Sequence, residues 1–431
     1  MSKNIDKVSI LTLGCAKNLV DSESIIGLLK ANGIEYTEDI NDADAAIINT
    51  CGFIKPAKQE SVNVIFETLN LKKKGKLQKV IVSGCFSERY GKDLKGQLPG
   101  VDHIFGLNAG DQILKSLKSS KMYFVNFERE ILTPKHYAYL KISEGCDHEC
   151  SFCAIPFIRG NHVSRKIEDL VDESKKLVDK GIKEINIIAQ DTTNYGFDLY
   201  KKRRIVELVD KISSESGAEW IRVLYAYPTT FQDDLLSLMN ERKNICKYVD
   251  IPLQHASNRM LKLMKRGMNQ DKTLELLIKM RNTVDGISIR SGFIVGYPQE
   301  SQQDFEDLKR FLEIARLDRV GVFTYSHEEN TSAFNFPDDV PEKLKIKRRD
   351  ELMKTQQKIS LQKNLSKIDK EFKVLIDDFD GENYIGRTEF DAPDVDNSVI
   401  IKADKEYKTG DFVNVKITSA QEYDLFGEVT N

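Results

Sequence analysis

Seven cysteines occur in the chain, and six of them fall into two groups of three. The denser group stands in Glu144-Gly145-Cys146-Asp147-His148-Glu149-Cys150-Ser151-Phe152-Cys153, a C-x3-C-x2-C spacing. Thiolates are soft ligands that suit iron–sulfur clusters and zinc. Four cysteines complete a 4Fe–4S cubane, whereas three leave one iron open to a ligand from outside. A structural zinc wants four tetrahedral ligands, and His148 would have to be the fourth from within the same tight loop, an awkward geometry. An electron carrier has no use for an exchangeable iron, so the spacing favours a cluster that binds a further molecule.

Cys15, Cys51 and Cys85 lie far apart but share one context. Each follows an apolar run almost at once: Ile10-Leu11-Thr12-Leu13-Gly14-Cys15, Ile47-Ile48-Asn49-Thr50-Cys51-Gly52 and Val80-Ile81-Val82-Ser83-Gly84-Cys85. If these runs are parallel strands, all three thiols emerge at one edge of a sheet, the edge where open α/β sheets bind ligands. The adjacent glycines let the backbone approach a cluster, and helix amino termini beside the thiols favour thiolate charge. A single such cysteine would be read as packing. Three repeats of the pattern point to a second cluster. Cys246 has no such partner and is assigned to packing.

The bulk properties, 40% hydrophobic and 30% charged residues, are those of an ordinary soluble globular protein. A length of 431 residues suggests two to three domains. The start lacks the apolar stretch of a signal peptide, and no apolar run approaches the ~18 residues of a membrane helix. No membrane association and a cytoplasmic, reducing location are therefore expected. A net charge of −3 carries no global signature of nucleic-acid binding.

The elements that must position the cysteines alternate. Strands are expected at Val8–Leu13, Ala45–Asn49 and Lys79–Ser83. The helices between them run from about Asp21 to Ala31 and from Pro56 to about Lys73. Continuous apolar strands separated by helices argue for a parallel sheet covered on both faces. A charged, aromatic stretch from Tyr123 to His136 reads as a linker. Six further strands follow, at Ala138–Ile142, Glu184–Ala189, Ile221–Tyr225, Tyr248–Ile251, Ile287–Val295 and Arg319–Tyr325. Six βα units can curl into a partial TIM-type barrel, two short of closure, so one side should stay open to a large substrate. A charged helix, Glu342 to about Leu365, reads as a strap. From Phe372 onward, period-two alternation with Asp380-Gly381 and Gly410-Asp411 turns predicts a small antiparallel β-barrel. The fold class is thus α/β in three parts: an amino-terminal cluster domain (1–123), a (βα)6 core (132–362) and the terminal barrel (364–431).

The central motif, with Phe152 just before its third cysteine, resembles the radical S-adenosylmethionine (SAM) superfamily. There the open iron chelates the methionine part of SAM, and an electron from the cluster releases a 5′-deoxyadenosyl radical. A cofactor pocket belongs at the carboxyl ends of the strands. Gln190 and Asp191 follow the second core strand, and Gln254 and His255 the fourth. Gly292-Phe293-Ile294-Val295-Gly296 resembles the superfamily's glycine-containing strand beside the adenine. With Phe152, the residues Gln190, Asp191, Gln254, His255, Gly292 and Gly296 form the candidate SAM contacts, though each polar one could equally be a loop or cap residue. Arg222 and Arg290 lie in strands and face either the barrel interior or an external acid.

Over essentially the whole chain, the two triads, partial barrel and terminal barrel resemble the methylthiotransferase family. Leu13-Gly14-Cys15-Ala16-Lys17-Asn18-Leu19-Val20-Asp21-Ser22-Glu23 is similar to its RimO branch, which more usually has Pro at the position of Ala16. Gln190-Asp191-Thr192-Thr193-Asn194-Tyr195-Gly196 and Pro252-Leu253-Gln254-His255-Ala256-Ser257 are similar to it too. The resemblance implies two 4Fe–4S clusters, SAM as cofactor, an electron donor such as flavodoxin or ferredoxin, and a TRAM-like terminal module. It implies sulfur and methyl insertion at the β-carbon of an aspartate in small-subunit ribosomal protein S-twelve. The sister branch, which modifies an isopentenylated adenosine of tRNA, is the alternative, and an iron–sulfur electron carrier the non-enzyme one. Charge bears on the choice. From Glu371 to Asn431 there are 15 Asp and Glu against 6 Lys and Arg, a net of −9. Such a module opposes direct RNA binding, which needs cations on phosphates, and suits a basic ribosomal protein.

Overall fold

The computed structural model describes residues 5–118, 128–403 and 405–430. The first part of the expected linker, up to residue 127, lies outside the described residues. The amino-terminal domain holds β1 (Lys7–Thr12), α1 (Ala16–Ala31), β2 (Glu35–Tyr36), β3 (Ala45–Thr50), α2 (Lys55–Lys73), β4 (Lys79–Gly84), α3 (Cys85–Leu94), β5 (His103–Ile104) and α4 (Gly110–Leu117). Its five strands form one parallel sheet in the order β2-β1-β3-β4-β5. Alternate residues serve opposite faces. Ile10, Ile47 and Ile81 pack with Ile26 and Leu29 of α1 and Ile113 of α4, while Ile48, Val80 and Val82 pack with Ile65 of α2 and Phe86 of α3. That two-sided burial is why the strands read as unbroken apolar runs. Helix α1 begins five residues before the expected Asp21. Its first turn buries Lys17 and Asn18, polar residues that hide the helical period.

The core continues with β6 (Tyr137–Lys141), β7 (Ser143–Glu144), α5 (Ile155–Arg159), β8 (Val163–Ser164), α6 (Ile167–Asp179), β9 (Glu184–Ile188), α7 (Phe197–Tyr200), α8 (Ile205–Glu215) and β10 (Trp220–Val223). Then come α9 (Asp234–Glu241), β11 (Ile245–Asp250), α10 (Asn258–Leu263), α11 (Gln270–Thr283), β12 (Ser288–Val295), α12 (Gln302–Ala315) and β13 (Arg319–Thr324). Six strands pair in parallel in the order β13-β12-β11-β10-β9-β6, an unclosed half-barrel. Its convex face buries Ile185, Ile187, Val249 and Ile289 under the surrounding helices. Cys246 lies within β11, buried in packing beside Trp220 and Tyr248.

Helix α13 (Glu342–Leu365) leads to β14 (Glu371–Phe379), β15 (Tyr384–Thr388), β16 (Val399–Lys402), β17 (Phe412–Ala420) and β18 (Leu425–Val429). These close into a barrel in the order β14-β15-β16-β18-β17. One pairing, β16 with β18, is parallel. Five is an odd number, so strand direction cannot alternate all the way round.

This small barrel fills part of the half-barrel's open side. Arg222 donates to Glu184 at 2.9 Å and to the Glu389 carbonyl at 2.6 Å. Arg290 pairs with Asp250 at 3.0 Å and Asp396 at 3.3 Å, and Arg319 with Asp391 at 2.5 Å. Tyr137 and Tyr139 donate to Asp394, and Tyr248 to Asp396. Arg222 and Arg290 therefore face the barrel interior and meet acids of the same chain.

Candidate active site between two cysteine triads

The core triad sits in the loop from β7 into α5. The Cys146 amide donates to the Gly160 carbonyl at 3.0 Å and the Cys153 amide to that of Cys150 at 3.0 Å. Arg266 donates to the Cys150 sulfur at 3.1 Å and to the Pro252 carbonyl at 2.6 Å. The Tyr227 hydroxyl lies 3.6 Å from the same sulfur. The Tyr227 ring also carries the Arg266 guanidinium at 4.1 Å and the stacked His148 imidazole at 3.6 Å. His148 Nε2 is 2.7 Å from Asp191 Oδ2, so its ring is committed to a carboxylate and not to the thiols. Burial pushes the Cys146 thiol up to about 11 and Cys153 up to about 12. Thiols so placed keep their protons until a metal supplies compensating charge.

The amino-terminal triad is assembled by the sheet. Cys15 caps α1, Cys51 stands just beyond β3, and Cys85 opens α3. Gly14 has φ 93°, and a Cβ there would lie 2.8 Å from the Cys51 Cβ and 2.9 Å from its sulfur. Only glycine allows that approach. The three thiols lie within one another's electrostatic reach. Burial pushes Cys85 up to about 12 while Arg159 pulls it back. Among the described residues no group of three or more His, Cys, Asp and Glu closes on a single metal ion.

One short helix joins the two triads. Ala154, next to Cys153, and Ile158 pack against Cys85. Arg159, at the end of α5, donates to Glu144 at 2.7 Å, Asp21 at 3.1 Å and Asn18 at 2.5 Å. Asn18 Oδ1 in turn lies 3.4 Å from the Cys85 sulfur. Lys141 bonds Asp21 and, at 2.7 Å, Glu144. This buried belt ties the loop of one triad to the helix capped by the other. Burial alone would raise the Glu144 carboxyl, but Lys141 and Arg159 hold it down at about 2.

Comparison with known proteins matches this architecture. Residues 7–106 match the Uncharacterized protein family UPF0004, residues 140–312 the Radical SAM superfamily and residues 368–430 the TRAM domain. The chain is 51% identical over 427 residues to the ribosomal protein uS12 methylthiotransferase RimO of Flavobacterium johnsoniae, covering 98% of each chain. The chain belongs to the RimO family. It is 49% identical to the RimO of Cytophaga hutchinsonii, again over 98% of each. It is also similar in fold to the radical SAM methyltransferase TsrM from Kitasatospora setae, with TM-score 0.54, 13% identity and 74% and 72% of the two chains covered. The enzyme class is that of the radical SAM methylthiotransferases.

Within this RimO-family site the sequence candidates fall into two groups. Gln190 donates to Glu144 at 2.7 Å, and its Oε1 is buried without a partner. Asp191 is buried and accepts from Thr193 as well as from His148. Both lie against the cysteine loop. Gln254 has φ 74° and exchanges backbone bonds with Gly292 and Ile294, each at 2.8 Å. His255 is buried, its Nδ1 accepts from the Ala256 and Ser257 amides, and its Nε2 has no partner. Burial holds it neutral, down at about 3. Gly292 faces Gly321 across β12 and β13, Gly296 donates to Glu300, and Phe152 packs near Met264 and Tyr297. The Pro252 carbonyl, held by Arg266, links this second group to Cys150. Sequence reasoning missed Arg266, Tyr227 and Arg159. The signal for Arg159 was a cation one helical turn beyond the cysteine loop. Arg266 offered none, being 116 residues from the cysteine it touches.

Proposed function

We propose that Cys146, Cys150 and Cys153 hold a SAM-binding 4Fe–4S cluster, and Cys15, Cys51 and Cys85 a second one. The reaction is insertion of sulfur and a methyl group at the β-carbon of an aspartate in ribosomal protein uS12. The observation that carries this reading is the pair of triads, one in each domain, separated by one helical segment. When bound, the cofactors supply a 5′-deoxyadenosyl radical for hydrogen abstraction and a sulfur atom for delivery. The chain's own residues orient and shield them. Arg266 and Tyr227 set Cys150, while Arg159 and Asn18 set Cys85. Phe152, Gln190, Asp191, Gln254, His255, Gly292 and Gly296 line the SAM side, and the unpartnered Gln190 Oε1 and His255 Nε2 are polar atoms that suit a polar cofactor. The electron comes from a donor such as flavodoxin or ferredoxin, and the reaction takes place in the cytoplasm.

The uS12 names of the relatives and the acidic terminal barrel support a basic protein substrate over RNA. Part of that charge is spent internally, however. Asp377 is held by His136 and Arg387, and Asp391, Asp394 and Asp396 bind the half-barrel. The partner-facing charge is therefore that of exposed residues such as Asp378, Asp380 and Glu382. The test is mass spectrometry of ribosomal proteins and tRNA from a deletion strain. Loss of the methylthio group from uS12 alone is expected. Loss from tRNA with intact uS12 would transfer the chain to the sister reaction.

A further inference from the structure

Lys17, two residues beyond Cys15, is 9% exposed. Its Nζ lies 3.3 Å from the centre of the Tyr225 ring. Among the described residues it has no carboxylate within ion-pair reach. A buried ammonium without a counter-ion is costly, and a cation–π contact offsets only part of that. Its position in the first turn of a 16-residue helix adds to the cost, because the amino end of a helix favours anions. Helix formation therefore does not account for this lysine. On the Cys85 side the triad already has a cation of its own, since Arg159 holds Asn18, whose Oδ1 lies 3.4 Å from the Cys85 sulfur.

The platform beneath Lys17 matters as much. Tyr225 has φ 60°, a left-handed conformation that a bulky residue adopts only under constraint. Its amide donates to Asp250 at 3.1 Å and its carbonyl accepts from the Thr192 amide at 3.1 Å, which fixes the strain in place. Two residues on, Tyr227 touches Cys150. The segment Tyr225-Ala226-Tyr227 therefore reaches the core triad with one ring and the amino-terminal domain's Lys17 with the other.

We infer that Lys17 is the specificity residue that binds the carboxylate of the target aspartate, with Tyr225 holding its ammonium in the gap between the triads. This rests on the proposed aspartate substrate. The carboxylate is bonded to the reacting β-carbon, so a fixed cation at that point orients the C–H bond as well as selecting the side chain. An asparagine of the same shape carries no charge to satisfy the ammonium.

The test uses the anaerobically reconstituted full chain and purified uS12, native or with the modified aspartate, mapped by mass spectrometry, replaced by asparagine. Wild-type enzyme should bind native uS12 about 10- to 100-fold more tightly than the asparagine form, the range of a charge-assisted hydrogen bond. Lys17→Met should lose that preference by weakening the native complex alone, and Lys17→Arg should keep most of it. Equal binding of both forms by the wild type overturns the assignment, whatever the variants do. So does a Lys17→Met enzyme that still prefers aspartate, or one that shifts the amino-terminal cluster's potential and leaves the preference intact. Failure of the wild type to modify uS12 at all sinks the substrate reading itself, and is distinct from these outcomes.

Discussion

The two cysteine triads reach similar ends by opposite routes. The core triad is local: three thiols within eight residues, in a loop whose own backbone bonds pin it. The amino-terminal triad is global: its thiols are separated by tens of residues and meet only because β1, β3 and β4 are neighbouring parallel strands. Local placement makes the core motif recognisable but leaves it dependent on distant side chains, Arg266 and Tyr227, for its final setting. Sheet placement makes the amino-terminal triad hard to see but rigid once folded, since β3 is buried along its whole length.

The largest effects should separate the two triads by function. Replacing Cys146, Cys150 and Cys153 with Ala should leave about four irons per chain where the wild type holds about eight, as expected for cubanes. It should also abolish formation of 5′-deoxyadenosine. Replacing Cys15, Cys51 and Cys85 with Ala should give the same iron loss but spare SAM cleavage and stop sulfur insertion. Persistent 5′-deoxyadenosine in the first variant, or methylthio product in the second, would reverse or dissolve the division of labour.

That contrast also explains what the sequence could show. The strands of both sheets were legible because two-sided burial writes continuous apolar runs. The core triad was legible from spacing, and the amino-terminal triad from three repeats of strand, glycine and cysteine. The residues that connect them were not. Arg159, Lys141, Asp21 and Glu144 are ordinary charges in sequence and become a belt only when α1 is laid against β6 and α5. The acidic tail misled in part for the same reason. Asp391, Asp394 and Asp396 look like a free charged loop but fill the half-barrel beside Arg319, Tyr137 and Arg290.

An intermediate effect should come from the belt. The Arg159 side chain is 2% exposed and pairs with Asp21 and Glu144. Arg159→Met leaves Asp21 and Glu144 to Lys141 alone, a loss of about 1–3 kcal/mol, below that of a buried pair broken outright. It should lower the thermal midpoint of the apoprotein. A surface control such as Lys175→Met, whose partner Glu215 is exposed, should cost less than about 1 kcal/mol. The pH dependence has a defined sign. The Glu144 carboxyl is held at about 2 against an ordinary 4.5, so its contribution is present above 4.5 and is lost as pH falls toward 2. In Arg159→Met that acid-side loss should shrink. An unchanged midpoint and acid profile would mean that the two triad bodies are held together by their other contacts, such as Lys58 and Arg89 on Glu328 and the packing of Ala154 and Ile158 on Cys85.

The smallest effect concerns the terminal barrel and distinguishes its two acidic populations. Asp378, Asp380 and Glu382, at the end of β14 and in the turn beyond it, are exposed and free of the core, whereas Asp377 is tied to His136 at 2.7 Å and Arg387 at 2.8 Å. Reversing the three exposed acids to Lys should slow association with uS12 several-fold, with little change in dissociation, because rim charges chiefly steer encounter. The difference from wild type should fade as salt rises and the screening length falls below ~10 Å. Asp377→Lys should behave otherwise. It places a cation against Arg387 and His136, so it should loosen the barrel from the half-barrel and lower the thermal midpoint at every salt concentration. Stopped-flow binding at several ionic strengths, paired with thermal unfolding, reads both. If the exposed reversals leave association unchanged at low salt, the free acids serve solubility, and recognition of uS12 falls to the gap between the triads.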